Sequence, residues 1–570
     1  MENISWKQMS EDERARYTVD RYNALYQVKQ DYLDLWQDIV DFLAINRYNL
    51  DGTQQKGKKK GQDVYDAYAC LAWRDFTHGV FGYMMSPNLQ WFKLRVTPDW
   101  LMDDRAVKMW LEEVERILYA SFARSNFYET APEYLADGSS LGTATCYSEE
   151  DLSTGKTIWT VMHPGEIVLA ENRYGMVDTV LRKFKLNARQ AVQSFGEDNL
   201  SEQIKANWRK TPEQEFEFYH ATFPADDIEY YFDEDGVYKP KPGSKPFVSA
   251  YVMEDGTKLI RESGYRLNPY TVWRCFKNSG EIYGRSPATN AIIDIIKLNQ
   301  MEKTTLNARH MMVDPPLQVP ESMRGKVRFT PRGRTYYDPS KPDLLVREMP
   351  MNISLPAGID GEDRLRKIID KHFMTDFFTL LSTAALEGRE LTVPQVMEMQ
   401  GEKAVMLAAM IGRLTSEFLD PVIDRSFDIE MEAGRIPPPP PILQKFAGGP
   451  IDVDYMGPLA QAQRKLFKVQ GITQLMQTVA PLVEAYPDIV DNFDSDKIAL
   501  ELHSAAGAPV KILRDEKQVQ AMRQQRQQKI AAQTAIEQAG NLAGATQGLS
   551  KPIEENSPLA LMTGQEGAAQ

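Results

Sequence analysis

The chain has 570 residues, a formal net charge of −14, and 42% hydrophobic and 26% charged residues. That length exceeds what one core serves and, at roughly 150 residues per domain, predicts three or four structural units of ordinary globular composition. The acidic balance argues against a protein that coats DNA, because such binding rests on many Lys and Arg contacts to phosphate, but it permits a channel whose negative lining repels the polymer.

Apolar runs such as 79–85 are far shorter than the ~20 residues of a membrane span, and Met1-Glu2-Asn3 lacks the basic-then-apolar pattern of an export signal. Cys70, Cys146 and Cys275 are odd in number, far apart and without CxxC spacing, which predicts a reducing, cytoplasmic folding compartment with neither a disulfide framework nor a zinc site.

In chain order, residues 13–46 place Tyr22, Leu25, Tyr26, Tyr32, Leu35, Trp36, Ile39 and Leu43 at mostly three- and four-residue spacing, which predicts an amphipathic helix. A second helix is predicted over 63–84 after the polar basic loop GTQQKGKKKG, and more helix over 103–135. The texture then changes to short alternating runs at 157–162, 166–170, 176–186, 215–223 and 245–253, which read as strands of a mixed middle domain. Ser286-Pro287 makes a cap and first-turn proline for a helix that runs to Asp314-Pro315-Pro316. Eight prolines within 315–357 predict an irregular β-type excursion, and a helix returns over about 361–383. After the polar break 385–390, Thr392-Val-Pro-Gln395 resembles a capping box and opens a long helix to Gly434, kinked at Pro421. The prolines of 435–441 predict a stiff boundary spacer, followed by helices near 456–485, 494–505 and 511–538 and a poorly ordered tail from about 540.

Two short patterns invite an enzymatic reading. Gly52 to Lys59 almost spells a phosphate-cradling loop, but Lys59 replaces the magnesium-binding hydroxyl and the preceding segment is helical rather than a strand, so a surface loop is the better reading. Gly138-Ser139-Ser140-Leu141-Gly142 matches a nucleophile elbow, yet a helix-like segment precedes it too. The histidines His78, His163, His220, His310, His372 and His503 show no metal-ligand spacing, and the sequence contains no convincing catalytic set. The expectation is no catalytic residue, no metal and no cofactor. Lys511, Arg514, Lys517, Arg523, Arg526 and Lys529 recur in threes; each step turns a helix by ~300°, so the charges spiral around a solvated helix.

The order of parts, together with SPNLQWFKLRV (86–96), HPGEIVLAENRYGMVDTVLRKFKLNARQAVQSFG (163–196), NPYTVWRCFKNSGEIYGRSPATNAI (268–292) and MVDPPLQVP (312–320), resembles the head-to-tail connecting (portal) proteins of short-tailed, T7-like bacteriophages. The likeness spans about residue 12 to about residue 535, and YGRSP with the helix after it is its most specific part. It implies an α+β, predominantly helical phage portal fold, assembled as a ring of about twelve subunits. Residues 1–285 would be the wing, with a helical N-terminal part and a mixed α/β part from about 140; 286–312 a stem helix; 313–357 the clip; and 358–384 the returning stem helix. Residues 385–392 would be a channel-facing tunnel loop, 393–436 the long kinked helix of the wing, 437–540 crown and C-terminal helical barrel, and 541–570 a flexible tail.

The function so implied is a non-enzymatic DNA channel at one capsid vertex, through which the genome is packaged and ejected. Its implied partners are its own copies in a homo-dodecamer, double-stranded DNA in transit, the terminase large subunit, capsid and scaffolding proteins, tail adaptor and nozzle proteins and internal core proteins, with no membrane. Its place would be the virion, after assembly in the bacterial host cytoplasm. In RGKVRFTPRGR (324–334), Arg324, Lys326, Arg328, Arg332 and Arg334 would form a basic collar for docking, with an exposed hairpin whose charges only aid solubility as the alternative. In the tunnel loop, Glu387, Arg389 and Glu390 would project into the bore, unless they merely decorate a helix-to-helix turn. The competing functions are a soluble hydrolase or nucleotide-binding enzyme using the 52–59 loop or Ser140, and a DNA-binding scaffold using the 511–529 helix.

Overall fold

The computed structural model describes residues 5–45, 47, 50, 60–225, 230–232, 238–240, 244–253, 256, 258–321, 324–325, 327, 340, 346–348, 355–375, 408–445, 451–455, 496, 498, 514 and 518–532. The chain divides into two compact units, Met1–Phe467 and Lys468–Gln570.

Helix α1 (Glu11–Phe42) starts at a capping box: Ser10 Oγ accepts from the Glu13 N–H, and the Glu13 carboxylate accepts from the Ser10 N–H, so two donors orphaned by a helix start are satisfied. Tyr22, Trp36, Ile39 and Val40 are buried along it, and so is Lys29. The Lys29 ammonium donates to Pro164 O at 2.5 Å, Ile167 O at 2.8 Å and Gly165 O at 3.1 Å, three protons meeting three carbonyls. Burial pulls its pKa down to about 7, against the opposing charge of Glu166. Lys29→Met keeps the apolar stem but takes the donor from one buried and two half-buried carbonyls, and is expected to cost about 2–4 kcal/mol. A thermal midpoint no lower than that of an exposed-lysine control would show that water takes the ammonium's place.

Helix α2 (Tyr68–Met84) follows, then strand β1 (Phe92–Val96), helix α3 (Arg105–Arg124) and helix α4 (Phe127–Leu141). The helix predicted over 103–135 is therefore two helices. The Asp104 side chain caps α3 by accepting from Ala106 N and Val107 N, and the break at Ser125-Asn126 frees the Asn126 amide for a different task.

The mixed region carries β2 (Thr143–Asp151), β3 (Lys156–Val161), β4 (Ile167–Glu171), β5 (Val177–Asn187), α5 (Ala188–Phe195), α6 (Glu202–Lys210), β6 (Glu215–Pro224), a small ribbon of β7 (Tyr230–Phe232) and β8 (Tyr238–Pro240), β9 (Phe247–Met253), β10 (Leu259–Tyr265) and β11 (Tyr270–Arg274). The five runs read as strands are all present; β2, β10 and β11 carry no clean alternation and were not expected. An antiparallel sheet of order β10-β9-β6-β5-β4 sends alternate side chains to opposite faces. Tyr219, Ala221, Phe223, Val248, Ala250 and Val252 pack under α1, while Phe218 packs with Phe195 and Ile204 of α5 and α6. A second sheet, β11-β2-β3, joins the largest core with Trp91, Phe122, Phe127, Tyr134 and Trp159.

Side chains close several sheet edges, which blunts edge-to-edge pairing. Asn126 accepts from Trp159 N and donates to Trp159 O on β3, as a neighbouring strand would. Tyr119 and Glu115 of α3 take the backbone N–H groups of Phe92 and Leu94 on β1, and burial pushes the Glu115 pKa up to about 7. On β4, Lys29 takes Ile167 O and the Tyr283 hydroxyl takes Leu169 N–H.

Helix α7 (Pro287–Val313), strand β12 (Leu317–Gln318), strand β13 (Arg347–Glu348) and helix α8 (Leu355–Phe373) follow. Of the long helix, residues 392–407 lie outside the described residues; the rest is a helical stretch over 408–414, a wide π turn at Thr415–Leu419 and helix α9 (Asp420–Glu432). Pro421 offers no N–H to the carbonyl of Glu417, so the kink expected there takes the form of this wide turn. Helix α10 (Pro441–Lys445) precedes β14 (Ile451–Tyr455), which pairs back onto β1 from Phe92↔Tyr455 to Val96↔Ile451. The Trp110 indole also donates to Pro437 O at 2.9 Å. The proline run predicted to be a boundary therefore lies inside the first unit. In the second unit, a helix over 518–532 is exposed almost all round, and Arg523 pairs with Asp496 at 2.7 Å. Among the described residues no helix is long and apolar enough to cross a membrane.

Candidate functional site: the YGRSP joint and the helix pair

Each residue of Tyr283-Gly284-Arg285-Ser286-Pro287 fixes the point where α7 leaves the mixed region. The Tyr283 hydroxyl accepts from Leu169 N–H, the Gly284 N–H donates to Thr143 Oγ1 at 2.8 Å, and Arg285 pairs with Glu281 at 2.6 Å. Ser286 Oγ donates to Ser140 O at 2.5 Å and accepts from Thr289 N–H at 3.0 Å, completing a capping box, and Pro287 sits in the first turn, where its missing N–H costs nothing. Gly142, with φ of +87°, and Gly284 cross so closely that a Cβ on Gly142 would fall 2.2 Å from Gly284 O.

This packing explains the elbow-like GSSLG. A Cβ on Gly138 would fall 2.3 Å from the Trp273 ring, so both glycines serve close approach. Ser140 is fully buried in the last turn of α4 and donates to Ala136 O at 2.7 Å, on a helix-to-strand turn rather than the exposed strand-to-helix turn a nucleophile needs. A serine-histidine pair does exist elsewhere: His220 contacts Ser249 Oγ at 2.9 Å and Tyr270 Oη at 2.6 Å. All three are buried, Tyr251 stacks on the imidazole at 4.0 Å, and burial pulls His220 down to about 3, so the imidazole is a neutral core group. The 52–59 loop lies outside the described residues, and the element before it is the helix α1. Among the described residues no cluster of His, Cys, Asp and Glu could hold a metal ion.

Helices α7 and α8 pack as a pair, with the linker before α2 clamped to one side. Asn299 accepts from Tyr65 N–H at 2.6 Å and donates to Asp63 O at 2.8 Å; Arg366 pairs with Asp66 at 2.8 Å; the Tyr68 hydroxyl donates to Asp370 at 2.7 Å. This docking explains why α2 starts later than its apolar pattern predicts. Beyond the pair, β12 and β13 meet antiparallel at Leu317↔Glu348 and Gln318↔Arg347, so the excursion leaves and returns through one narrow base. Arg324 is exposed and stands 3.5 Å from Glu321, an ion pair of little energetic weight. Lys326, Arg328, Arg332 and Arg334, and Glu387, Arg389 and Glu390, lie outside the described residues.

A heavily charged buried contact was missed by sequence reasoning. Arg274, 1% exposed at the end of β11, pairs with Glu417 of the π turn at 2.6 Å and with Glu171 of β4, and donates to Gly175 O at 3.0 Å. The Glu417 carboxylate also accepts from the Arg274 backbone N–H at 2.8 Å and from Arg413 at 2.6 Å, while Lys277 reaches Glu171 at 2.5 Å. The available signal was an arginine inside the otherwise apolar strand TVWRC, since a buried cation requires buried acids. This cluster ties β4, β11 and the long helix together directly upstream of YGRSP.

A mixed helical and stranded body with a packed helix pair that starts at a hydrogen-bonded joint is the architecture the residues build. The chain belongs to the bacteriophage head to tail connecting protein family, whose sequence profile matches residues 17–513. It is 30% identical to the portal protein of Salmonella phage epsilon15, over 94% of this chain and 95% of that one. It is also 28% identical to the probable portal protein of Bordetella phage BPP-1, over 96% of this chain and 98% of that one.

Proposed function

We propose that the chain is a portal protein: about twelve copies close into a ring at one capsid vertex, and the genome enters and leaves through its bore. The observation that carries this reading is the near full-length similarity to two portal proteins within one connector family. In this reading residues 1–285 and 393–436 form the wing, α7 and α8 the stem, 313–357 the clip, 385–392 the tunnel loop and 437–540 the crown and barrel. The rigid YGRSP joint supports the stem assignment, because a helix pair that carries a docking element needs a fixed root.

The clip's Arg324, Lys326, Arg328, Arg332 and Arg334, repeated around the ring, form a basic collar for the terminase large subunit and then for tail adaptor and nozzle proteins; repetition multiplies weak contacts. Capsid, scaffolding and internal core proteins meet other faces of the ring, which is built in the host cytoplasm and remains in the virion. Packaging energy comes from a separate ATPase, and this chain performs no reaction. Native mass spectrometry with end-on electron microscopy of the purified protein tests the ring: a hole surrounded by about twelve copies is the expected result. A monomer that turns over ATP or an ester would overturn it in favour of an enzyme. Within the ring, Arg389→Ala is expected to lower the amount of packaged DNA retained without changing subunit number; unchanged retention would remove Arg389 from the bore.

A further inference from the structure

We propose that Glu302 of α7, facing Glu362 of α8, is a protonation latch: a proton on Glu302 holds the two helices side by side, and its loss drives them apart near the base of the excursion. The two helices approach closely at this level. Gly358 and Gly361 bring the backbones together here, since a Cβ on Gly361 would fall 2.6 Å from Met301 Cε and one on Gly358 3.1 Å from Thr305 Oγ1. Glu362 is 1% exposed, and its Oε1 has no hydrogen-bond partner among the described residues. A buried carboxylate oxygen left so is costly, whereas a carboxylic acid facing a carboxylate satisfies both groups.

The surrounding charges favour holding the proton. From α7, Arg309 stands 3.5 Å from Glu302, and Lys303 lies over the Tyr65 ring. From α8, Arg366 stands 3.5 Å from Glu302, but the same guanidinium also serves Asp66 of the linker at 2.8 Å and Asp363 at 3.0 Å. One turn further along α8, Asp370 takes the Tyr68 hydroxyl of α2. Two arginines thus serve Glu302, Asp66 and Asp363, and with the buried Glu362 the acids outnumber them, an excess that one added proton reduces. Burial, and then the Glu362 carboxyl opposite, raise the pKa of Glu302, with Arg309 and Arg366 opposing. Between the ordinary glutamate value and the raised one, the folded chain keeps a proton the unfolded chain has lost, so this contact weakens as pH rises through that interval.

The test does not depend on ring formation. Nitroxide labels at Asn307→Cys and Ala357→Cys, both exposed near the excursion end of the pair, are introduced in a Cys70→Ala background, and labelled chain is diluted into unlabelled chain so that only intrachain distances are read. Between about pH 5 and about pH 8 the distance is expected to lengthen or broaden by about 2 Å. Glu362→Gln, whose amide supplies a donor at every pH, should keep the low-pH distance throughout. Should that variant fail to fold, Glu302→Gln reads the same contact from the other helix. An unchanged wild-type distance, or the same pH response in the carboxamide variant, overturns the latch.

Discussion

Replacing Arg274 with methionine is expected to lower stability by about 3–5 kcal/mol, the usual cost of removing one partner from a buried ion cluster. The reason lies in what remains. Glu417 is buried in the π turn and loses a guanidinium partner, keeping Arg413 and the backbone N–H of residue 274, while Glu171 is left with Lys277. Methionine fills much of the volume, so the loss reports electrostatics rather than a cavity. The triple change Arg274→Met, Glu171→Gln and Glu417→Gln should recover part of the loss, because it removes the stranded charges along with the cation. Thermal midpoints of the wild type, the single variant and the triple variant check this. A single variant within about 0.5 kcal/mol of wild type would mean that Lys277 and Arg413 already neutralise both acids.

Gly142→Ala is expected to cost about 2–5 kcal/mol and to yield mostly insoluble protein. Two effects add: a left-handed backbone disfavours any Cβ by about 1–2 kcal/mol, and this Cβ would fall 2.2 Å from Gly284 O, where backbone rather than a yielding side chain must move. Gly434→Ala separates the two, because Gly434, which ends α9 with the Arg435 N–H returning to Glu430 O, also has a positive φ, +68°, with nothing within 4 Å of the added methyl. The control should therefore carry only the backbone term. Equal losses at the two positions, measured by thermal midpoint and soluble yield, would mean that the crossing with Gly284 relaxes at little cost.

Local sequence was informative wherever one stretch carried its own physical instruction. The Ser286-Pro287 cap, the wide stripe of α1 and the period-two runs of β5, β6 and β9 each state their structure within a dozen residues. The break between α3 and α4 was not legible, because Ser125-Asn126 is an unremarkable pair until β3 arrives to use the asparagine amide. Nor was the fate of the chain after 435–441, since prolines stiffen a segment but do not say where the next strand will pair. The elbow-like GSSLG misled for the same reason: glycine spacing records that something comes close, and only the fold shows that Trp273 and Gly284 are what come close.

Composition, charge and the YGRSP-centred motifs by themselves determined the class of this protein, since family membership is written in residue identities along nearly the whole chain. Tertiary structure alone decided which charges are buried and with whom: Arg274 with Glu417 across β11 and the π turn, and Lys29 with three carbonyls. The physical reason is range. Caps, turns and periodicity act over a few residues, whereas a buried charge is tolerated only when partners from distant segments arrive together, and their identity is fixed by packing rather than by any neighbour in sequence.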